Sequence, residues 1–203
     1  MERTKFGNKR KSQKGNVFKS DALDYLEATR IGNSLLWSEK KSIVGFYILF
    51  SINSGLRIGD ILSLHHSHLS GKVAGDWISL REKKTSKHRD IQINEKIIVA
   101  YGELIKKLGS VDPDSFIFTS QKGSVFAIQR INTILKEVFR GHCKHISSHS
   151  LRKSYGRRVY DNNGKSEDAL NTLSEIFQHT SLKTTRIYLG IRKEQLGMVN
   201  MNL

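Results

Sequence analysis

The segment FQHTSLKTTRIYLG, residues 177–190, places a tyrosine nine residues after a histidine, among threonines and cationic side chains. A phenol has an ordinary pKa of about 10, so Tyr188 is protonated at neutral pH and is a modest nucleophile. It needs a base or an electrostatic pull. The structural alternative is that Tyr188 is a partly buried aromatic residue on the last core helix.

Two further segments contain an arginine with a polar partner three residues away. In SGLRIGDILSL the pair is Arg57 and Asp60, and in HSLRKSYGRRVY it is His149 and Arg152. This spacing places both members of a pair on one helix face. A guanidinium steadied by a carboxylate is a well-oriented fork for a phosphate group. Taken singly, each pair also fits an ordinary ion pair or a basic amphipathic helix.

The charge of the whole chain favours a polyanionic partner. The 203 residues contain 34 Lys and Arg against 19 Asp and Glu, which gives a net charge of +15. Proteins this basic most often bind nucleic acid and sometimes an anionic membrane surface, whereas the alternative is a basic surface with no specific partner. The basic residues that we predict to contact nucleic acid are Lys83, Lys87, Arg89, Lys153, Arg157, Arg158, Lys183 and Arg186.

Simple features of the sequence indicate the compartment in which the protein works. Cys143 is the only cysteine, so no intrachain disulfide can form, which fits a reducing compartment. The most apolar run, residues 43–52, is too short to span a bilayer, and the N-terminus has no apolar signal core. We therefore predict a cytoplasmic protein, associated with the nucleoid when bound to DNA, with no membrane partner.

The periodicity predicts a mainly α fold of the α+β type with one small antiparallel sheet. Two short alternating segments flank the basic EKKTSK, which indicates a β-hairpin whose tip carries lysines that can reach a cleft and deliver a proton; a solvated turn is the alternative. The predicted strands are residues 76–81 and 88–94. The predicted helices are 21–29 (capped by Ser20), 38–53, 57–66, 94–108, 126–139, 149–162, 168–178 and 181–189.

One folded domain is expected over residues 20–203. Residues 1–19 carry seven Lys and Arg and little apolar content, which predicts a basic flexible tail, either a solubilising segment or an arm that holds DNA. Residues 191–203 form a short tail that is free to dock elsewhere. No internal repeat or linker divides the chain.

In order and spacing, these motifs resemble the tyrosine recombinase (phage integrase-type) family over about residues 37–190. HSLR resembles the family's H-x-L-R box, HTSLKTTRIY its H-x-x-x-x-x-T-x-x-Y ending, and SGLRIGDILSL its first arginine box. Two departures stand out. Gln178 occupies a position where the family usually has glycine, and only about 36 residues precede the match, where the family usually has a helical core-binding domain. The chain is in this respect similar to short single-domain members such as fimbrial invertases, or to a truncated protein.

The resemblance implies site-specific DNA strand exchange through a 3′-phosphotyrosine, by a tetramer assembled on two double-stranded DNA sites, with the tail 191–203 docking on a neighbour. The catalytic residues that it implies are Arg57, Lys84, His149, Arg152, His179 and Tyr188. Lys84 is matched by alignment with the family hairpin, Lys83 and Lys87 being the alternatives. Asp60 would orient Arg57.

The implied roles fit the residue types. Arg57 and Arg152 would bind the phosphate, His149 would act as base or phosphate ligand, His179 would donate a hydrogen bond, and Lys84 would protonate the leaving 5′-oxygen. Neither a metal nor ATP nor another cofactor is required, because arginines hold the phosphate and the phosphotyrosine conserves the energy of the broken bond.

Three rival interpretations remain from the sequence. The histidines and cysteine of GHCKHISSH (His142, Cys143, His145 and His149) and of HHSH (His65, His66 and His68) are zinc-binding residue types, but they lack a paired spacing. A DNA-binding regulator without chemistry is a second interpretation. A type IB topoisomerase, which relaxes supercoils without pairing two sites, is the third.

Overall fold

A computed structural model describes residues 20–81, 88–191, 197–199 and 201, and these residues confirm the mainly α fold with a small antiparallel sheet. None of the helices in these ranges is both long enough and apolar enough to cross a membrane. The elements are α1 Tyr25–Trp37, α2 Ser42–Ser54, α3 Ile58–Ile61, β1 Trp77–Arg81, β2 His88–Gln92, α4 Glu95–Leu108, α5 Ile128–Val138, α6 Ser148–Asn162, α7 Glu167–Phe177 and α8 Leu182–Leu189, with a 3₁₀ turn at His66–His68.

Helix α2 is the central element of the main core, as its apolar sequence predicts. Ten of its thirteen residues are buried, and α1, α4 and α6 pack around it. Phe46 stacks on Phe118 at a ring-centroid distance of 5.6 Å, and Tyr47 meets the same ring edge-on at 5.8 Å. Burying side chains of this size contributes about 1.5–3 kcal/mol each, so this helix anchors the scaffold.

Close contact between α1 and α2 depends on Gly45. A Cβ added at this position would lie 2.2 Å from the Leu36 amide nitrogen and 2.6 Å from the Gly32 carbonyl oxygen, both of which are backbone atoms. Gly45→Ala is therefore expected to lower the free energy of unfolding by about 3 kcal/mol. Gly102→Ala in α4, where an added Cβ meets nothing within 4 Å, is the control and should raise it by up to about 1 kcal/mol. Chemical denaturation of both variants checks this, and equal stabilities would contradict it.

The first three helices differ from the prediction in where they begin or end. The helix expected at residues 21–29 begins at Tyr25 and continues to Trp37, because Asp24 rather than Ser20 is the N-cap and accepts a hydrogen bond from the Glu27 amide. Helix α2 begins at Ser42 and not at residue 38. The helix predicted over 57–66 ends after one turn, at residue 61.

Residues 20–24 form an extended segment that crosses α6 instead of a helix. The Asp21 amide donates to the His145 carbonyl oxygen at 2.9 Å, and the His145 amide donates to the Asp21 carboxylate at 3.0 Å. Further along, the Leu23 amide donates to the buried Ser154 Oγ at 2.9 Å. These bonds satisfy backbone groups that would otherwise be buried without partners, and they fix α6 in place.

The hairpin is antiparallel, with Trp77 paired to Gln92 and Leu80 paired to Arg89. Ile78, Leu80 and Ile91 point into the core, which fixes the register. The predicted tip lysines, Lys83, Lys84 and Lys87, lie outside the described residues.

Helices α7 and α8 pack on α6 around a second, smaller core, whose buried residues are Tyr160, Ala169, Leu170, Leu173, Phe177, Leu189 and Ile191. Gly156 of α6 permits this contact, because an added Cβ would lie 2.7 Å from a Leu189 methyl carbon and 2.8 Å from the Phe177 ring. The C-terminal helices are thus held by fewer apolar side chains than the rest of the domain.

Candidate active site

The C-terminal end of α7 has the hydrogen bonds of a Schellman motif. Gln178 is in the left-handed conformation (φ 54°, ψ 47°) and its amide donates to the Glu175 carbonyl oxygen, while the His179 amide donates to the Ser174 carbonyl oxygen, both at 2.9 Å. These bonds satisfy two of the last carbonyl groups of the helix. The carbonyl of Phe177 is left pointing outward, and His179 follows at once.

The outward Phe177 carbonyl oxygen accepts hydrogen bonds from two arginines that are far apart in the sequence. Arg57 Nη2 donates to it at 3.1 Å, and Arg152 Nη2 donates to it at 3.2 Å. The C-terminal end of a helix carries a partial negative charge, which offsets the repulsion between two guanidinium groups. One main-chain atom thus holds the two predicted phosphate ligands side by side.

Arg152 is almost entirely buried, with a relative exposure of 3 %. Its Cζ lies 4.5 Å from the centroid of the Phe177 ring, and its Nη1 has no hydrogen-bond partner among the described residues. Its pKa is lowered to about 10, mainly by burial and to a smaller extent by the charges of Arg57 and Arg89, whereas Tyr188 and Asp60 raise it. The group therefore stays charged at neutral pH and has a donor available for an anionic ligand.

Asp60 is buried, with a relative exposure of 2 %. It lies close enough to the arginine pair for its negative charge to raise the pKa of Arg152. Its backbone amide donates to the Arg57 carbonyl oxygen at 3.0 Å. The prediction that its carboxylate orients Arg57 stays a prediction.

Both predicted histidines line the same site as the tyrosine. The ring of Tyr188 is 5.2 Å from that of His179 and 6.4 Å from that of His149, edge-on in both cases. His179 Nδ1 is 2.9 Å from Oγ1 of the fully buried Thr185, and this contact leaves Nε2 for another ligand. The imidazole of His149, by contrast, is open to solvent on one side.

The pKa of each histidine is below its ordinary value. The surrounding protein lowers the pKa of His149, and the charges of Arg152, Lys153 and Arg57 lower it further. Desolvation likewise lowers the pKa of His179, with smaller contributions from Arg152 and Arg57. Both imidazoles are therefore neutral at pH 7, so each can accept a proton or donate a hydrogen bond.

Tyr188 lies between the two histidines and the arginine pair. Its Oη is buried without a hydrogen-bond partner among the described residues. The pKa of Tyr188 is raised to about 12, chiefly by burial, although the charge and close approach of the Arg152 guanidinium and the charge of Arg57 oppose the effect. In the free protein the phenol is thus protonated and held near two cations.

The tyrosine opens onto a groove of about 1050 Å³, which His149, Thr184 and Ile187 also line. The N-terminal end of α6, capped by the Ser147 side chain, reaches the same groove. The cationic residues along the groove are Lys136, Arg140, Lys144 and Lys153. A positive groove of this kind suits a phosphodiester backbone.

Three of the other predicted nucleic-acid contacts lie at or near this site. Arg89 of β2 is close enough to Arg152 for its charge to lower the pKa of that group. Lys153 is buried beneath the site, where its Nζ donates to the Ser20 carbonyl oxygen at 2.5 Å and lies 5.1 Å from the Tyr188 ring centroid. Lys183 is exposed on α8, two positions before Thr185.

The remaining three predicted contacts have protein partners elsewhere. Arg157 donates to the Leu189 carbonyl oxygen at 3.4 Å, at the end of α8. The guanidinium of Arg158 stacks on the Tyr25 ring at 3.6 Å. Arg186 forms a 2.7 Å ion pair with Glu167, which ties α8 to α7. The structure does not bring these three arginines into the tyrosine cluster.

Sequence reasoning missed three components of the site. The Phe177 carbonyl is a main-chain group and gives no sequence signal. Thr185 belongs to the H-x-x-x-x-x-T-x-x-Y motif but was given no role, although the motif itself contained the signal. Lys136 and Arg140 of the groove lie at i,i+4 spacing on α5 and its end, a pattern that marks one face.

The histidines and cysteine that suggested zinc do not converge. Across residues 20–81 and 88–191, and the few described residues beyond them, no three His, Cys, Asp or Glu side chains are grouped closely enough to hold a metal ion. His66 Nδ1 is instead 3.0 Å from the Tyr101 hydroxyl, in the core.

Solved recombinase structures have this fold. The chain superposes on the crystal structure of XerA recombinase with a TM-score of 0.69, at 20 % identity over 91 % of this chain and 65 % of that one. It also superposes on XerH site-specific recombinase bound to a palindromic difH substrate with a TM-score of 0.66, at 21 % identity over 90 % of this chain and 53 % of that one.

Sequence comparison identifies relatives and the family. A probable integrase/recombinase, YoeC from Bacillus subtilis, is 29 % identical over 73 % of this chain and 78 % of its own length. Tyrosine recombinase XerC of Nitrobacter winogradskyi is 27 % identical over 70 % of this chain, which spans 44 % of that protein. The phage integrase family model matches residues 25–195, which carry every element of the site described above. The chain therefore belongs to the phage integrase family.

Proposed function

We propose that this protein is a site-specific DNA recombinase that cleaves and rejoins strands through a 3′-phosphotyrosine on Tyr188. The observation that carries the proposal is the pair of guanidinium groups on the Phe177 carbonyl, with a buried phenol and two neutral imidazoles beside them. Two forked cations match the two non-bridging oxygens of a phosphodiester. The phenol then supplies the nucleophile, and the imidazoles beside it supply groups for proton transfer and hydrogen bonding.

In the proposed step, Tyr188 Oη attacks the phosphorus atom and a new P–O bond forms as the bond to the 5′-oxygen breaks. The phenolic proton passes to a neutral histidine, His149 in this proposal, and the leaving 5′-oxygen takes a proton from Lys84. Arg57 and Arg152 bind the charge that builds on the phosphate in the transition state, and His179 donates from Nε2. Attack by another 5′-hydroxyl on the phosphotyrosine reverses the same steps and reseals the DNA without metal or nucleotide.

The assembly is also a proposal. The chain spans about half the length of the XerC relatives that it matches, so partners and DNA sites follow by analogy only. We propose a tetramer on two DNA sites, with the tail 191–203 docking on a neighbour. The exposed apolar side chains of Met198, Val199 and Met201, which are 61–86 % accessible, support a docking role for this segment. Light scattering of the protein–DNA complex gives the number of protomers.

The experiment that tests the activity uses nicked duplex DNA, in which the short 5′-hydroxyl strand diffuses away after cleavage. The protein is incubated with a library of such duplexes in the presence of a chelator, and covalent complexes are collected after denaturation. We expect a covalent complex whose cross-linked peptide contains Tyr188. DNA binding without a covalent complex would favour a regulator, and relaxation of supercoiled DNA without site preference would favour a topoisomerase.

The pH dependence follows from the lowered pKa values of His149 and His179. The neutral imidazoles are the competent forms, so cleavage is lost when they protonate as the pH falls. Because their pKa values lie below the ordinary value of about 6.5, the acid limb of the cleavage rate should lie at lower pH than for an unperturbed histidine. Single-turnover rates from about pH 5 to about pH 8 measure this limb. A midpoint above about 6.5 would contradict it.

A further inference from the structure

Gln178 has a left-handed backbone conformation that disfavours any residue with a side chain. Among the described residues other than glycine, only Lys165 and Gln178 have a positive φ. A left-handed residue at a helix end is usually glycine, because a Cβ is strained there. The Schellman hydrogen bonds of α7 need only the backbone of this residue, so glycine would form them at least as well. The glutamine side chain therefore has to be explained by what it contacts.

The amide of Gln178 contacts the first arginine of the site. Arg57 Nη1 donates to Gln178 Oε1 at 3.2 Å, while Arg57 Nη2 donates to the Phe177 carbonyl oxygen at 3.1 Å. Two acceptors on the two terminal nitrogens of one guanidinium define the plane in which it lies. The same left-handed turn thus sets both acceptors, one from the main chain and one from the side chain.

A neutral amide is the acceptor type that suits this task. Arg57 is only partly buried, unlike Arg152, which is buried and lies against the Phe177 ring. A carboxylate at the position of Gln178 would hold the guanidinium but would also neutralise it and repel an incoming phosphate. An amide oxygen fixes the orientation and leaves the positive charge of Arg57 available.

We infer that Gln178 is a positioning residue for strand cleavage, which orients the Arg57 guanidinium toward the scissile phosphate. The inference rests on the proposed function for its catalytic consequence. Gln178 thus has two separable effects: its Cβ strains the backbone at the end of α7, and its amide sets the orientation of the Arg57 guanidinium.

The glycine variant separates these two properties. Gln178→Gly relieves the strained conformation and removes the amide, so we expect a melting temperature equal to or above that of the wild type together with about a tenfold loss in the single-turnover cleavage rate. DNA affinity should change much less than the rate, because Arg57 still carries its charge. If Gln178 served only the turn, Gly would be at least as active as the wild type, and that result would overturn the inference.

Two further variants test the route through Arg57. Gln178→Glu should retain the hydrogen bond to the guanidinium but cleave more slowly and bind DNA more weakly than the wild type. In an Arg57→Ala background, Gln178→Gly should cause no additional loss of rate. An undiminished tenfold loss in that background would show that Gln178 acts through another group, and the inference would fail.

A spectroscopic measurement keeps the inference testable even if the wild type forms no covalent complex. In protein labelled with ¹⁵N-arginine, the NMR signal of Arg57 is the one that disappears in Arg57→Ala. The terminal nitrogens of Arg57 should rotate slowly in the wild type and faster in Gln178→Gly. Equal rotation rates would contradict the positioning role independently of catalysis. Failure of the wild type to form the complex would, in contrast, count against the proposed function alone.

Discussion

Tyr188→Phe is expected to abolish the covalent protein–DNA complex completely while leaving DNA binding within about twofold of the wild type. The substitution removes the one oxygen that can form the phosphotyrosine, and no other side chain can supply that bond at the same place. The aromatic ring stays, and with it the packing against Phe177 and His179 at ring distances of 5.3 and 5.2 Å. Denaturing gels of nicked-DNA reactions measure the complex, and filter binding measures affinity.

The fold should tolerate this change, which makes the result interpretable. Because the ring and its packing are retained and only the hydroxyl, which lies near Arg152, is removed, the free energy of unfolding should change by less than about 1 kcal/mol. Tyr160→Phe is the matched control, since Tyr160 lies in the same small core. It should retain the covalent complex. A complex formed by Tyr188→Phe at the wild-type rate would refute the proposed nucleophile.

The position of the nucleophile on the smaller core bears on how the site is switched. Helix α8 is held to α6 and α7 by few large side chains, with Arg186–Glu167 as an exposed ion pair. Elements with few buried contacts open at lower free-energy cost than the rest of a domain. The backbones of Arg57 and Arg152, in contrast, lie at the start of α3 and on α6, which pack on α2, although both guanidinium groups also bind the Phe177 carbonyl oxygen of α7. We therefore expect α8, with Tyr188, to open at a lower free-energy cost than the main core.

Local patterns in the sequence predicted most of the scaffold. Helices α4 to α8 lie within two residues of their predicted bounds, because each has an apolar stripe and most have a polar N-cap such as Asn94 or Ser166. The N-terminal region was predicted less well, since Ser20 and Asp24 are both good caps. The choice between them is decided by hydrogen bonds that residues 21 and 23 make with His145 and with Ser154 of α6. Both partners are more than 120 residues away in sequence.

The sequence predicted which side chains lie in the site but not how they are held together. The family resemblance named both arginines, both histidines and Tyr188, and the structure places all five close together, while their catalytic roles stay predictions. The atom that joins the arginines, the Phe177 carbonyl oxygen, could not be predicted, because any residue has one and only the tertiary arrangement exposes it. The same holds for Arg157, Arg158 and Arg186, which are indistinguishable by sequence from groove cations until their partners are seen.

Arg152→Ala is expected to lower the single-turnover cleavage rate by about 10²–10³, the usual cost of removing one preorganised donor to a developing oxyanion. The donors of Arg152 are fixed by burial, by the Phe177 carbonyl oxygen and by the Phe177 ring, so water cannot replace them. Arg30→Ala in α1 is the control, because its guanidinium pairs with Glu27 at 2.6 Å and is not among the predicted DNA contacts. It should keep the wild-type rate within about threefold.

Arg152→Lys should rescue little of this activity, and the reason is the burial of the site. The environment lowers the pKa of Arg152 to about 10, which leaves arginine charged at neutral pH. A lysine has an ordinary pKa of about 10.4, so the same desolvation brings it toward the neutral amine, and it also lacks the forked geometry. The lysine should stay mostly protonated at pH 7, so the missing donors of the fork, which water cannot replace in a buried site, should account for most of its loss of rate. A lysine variant as fast as the wild type at pH 7 would show that the site needs only a point charge, and the two-fork description of phosphate binding would be wrong.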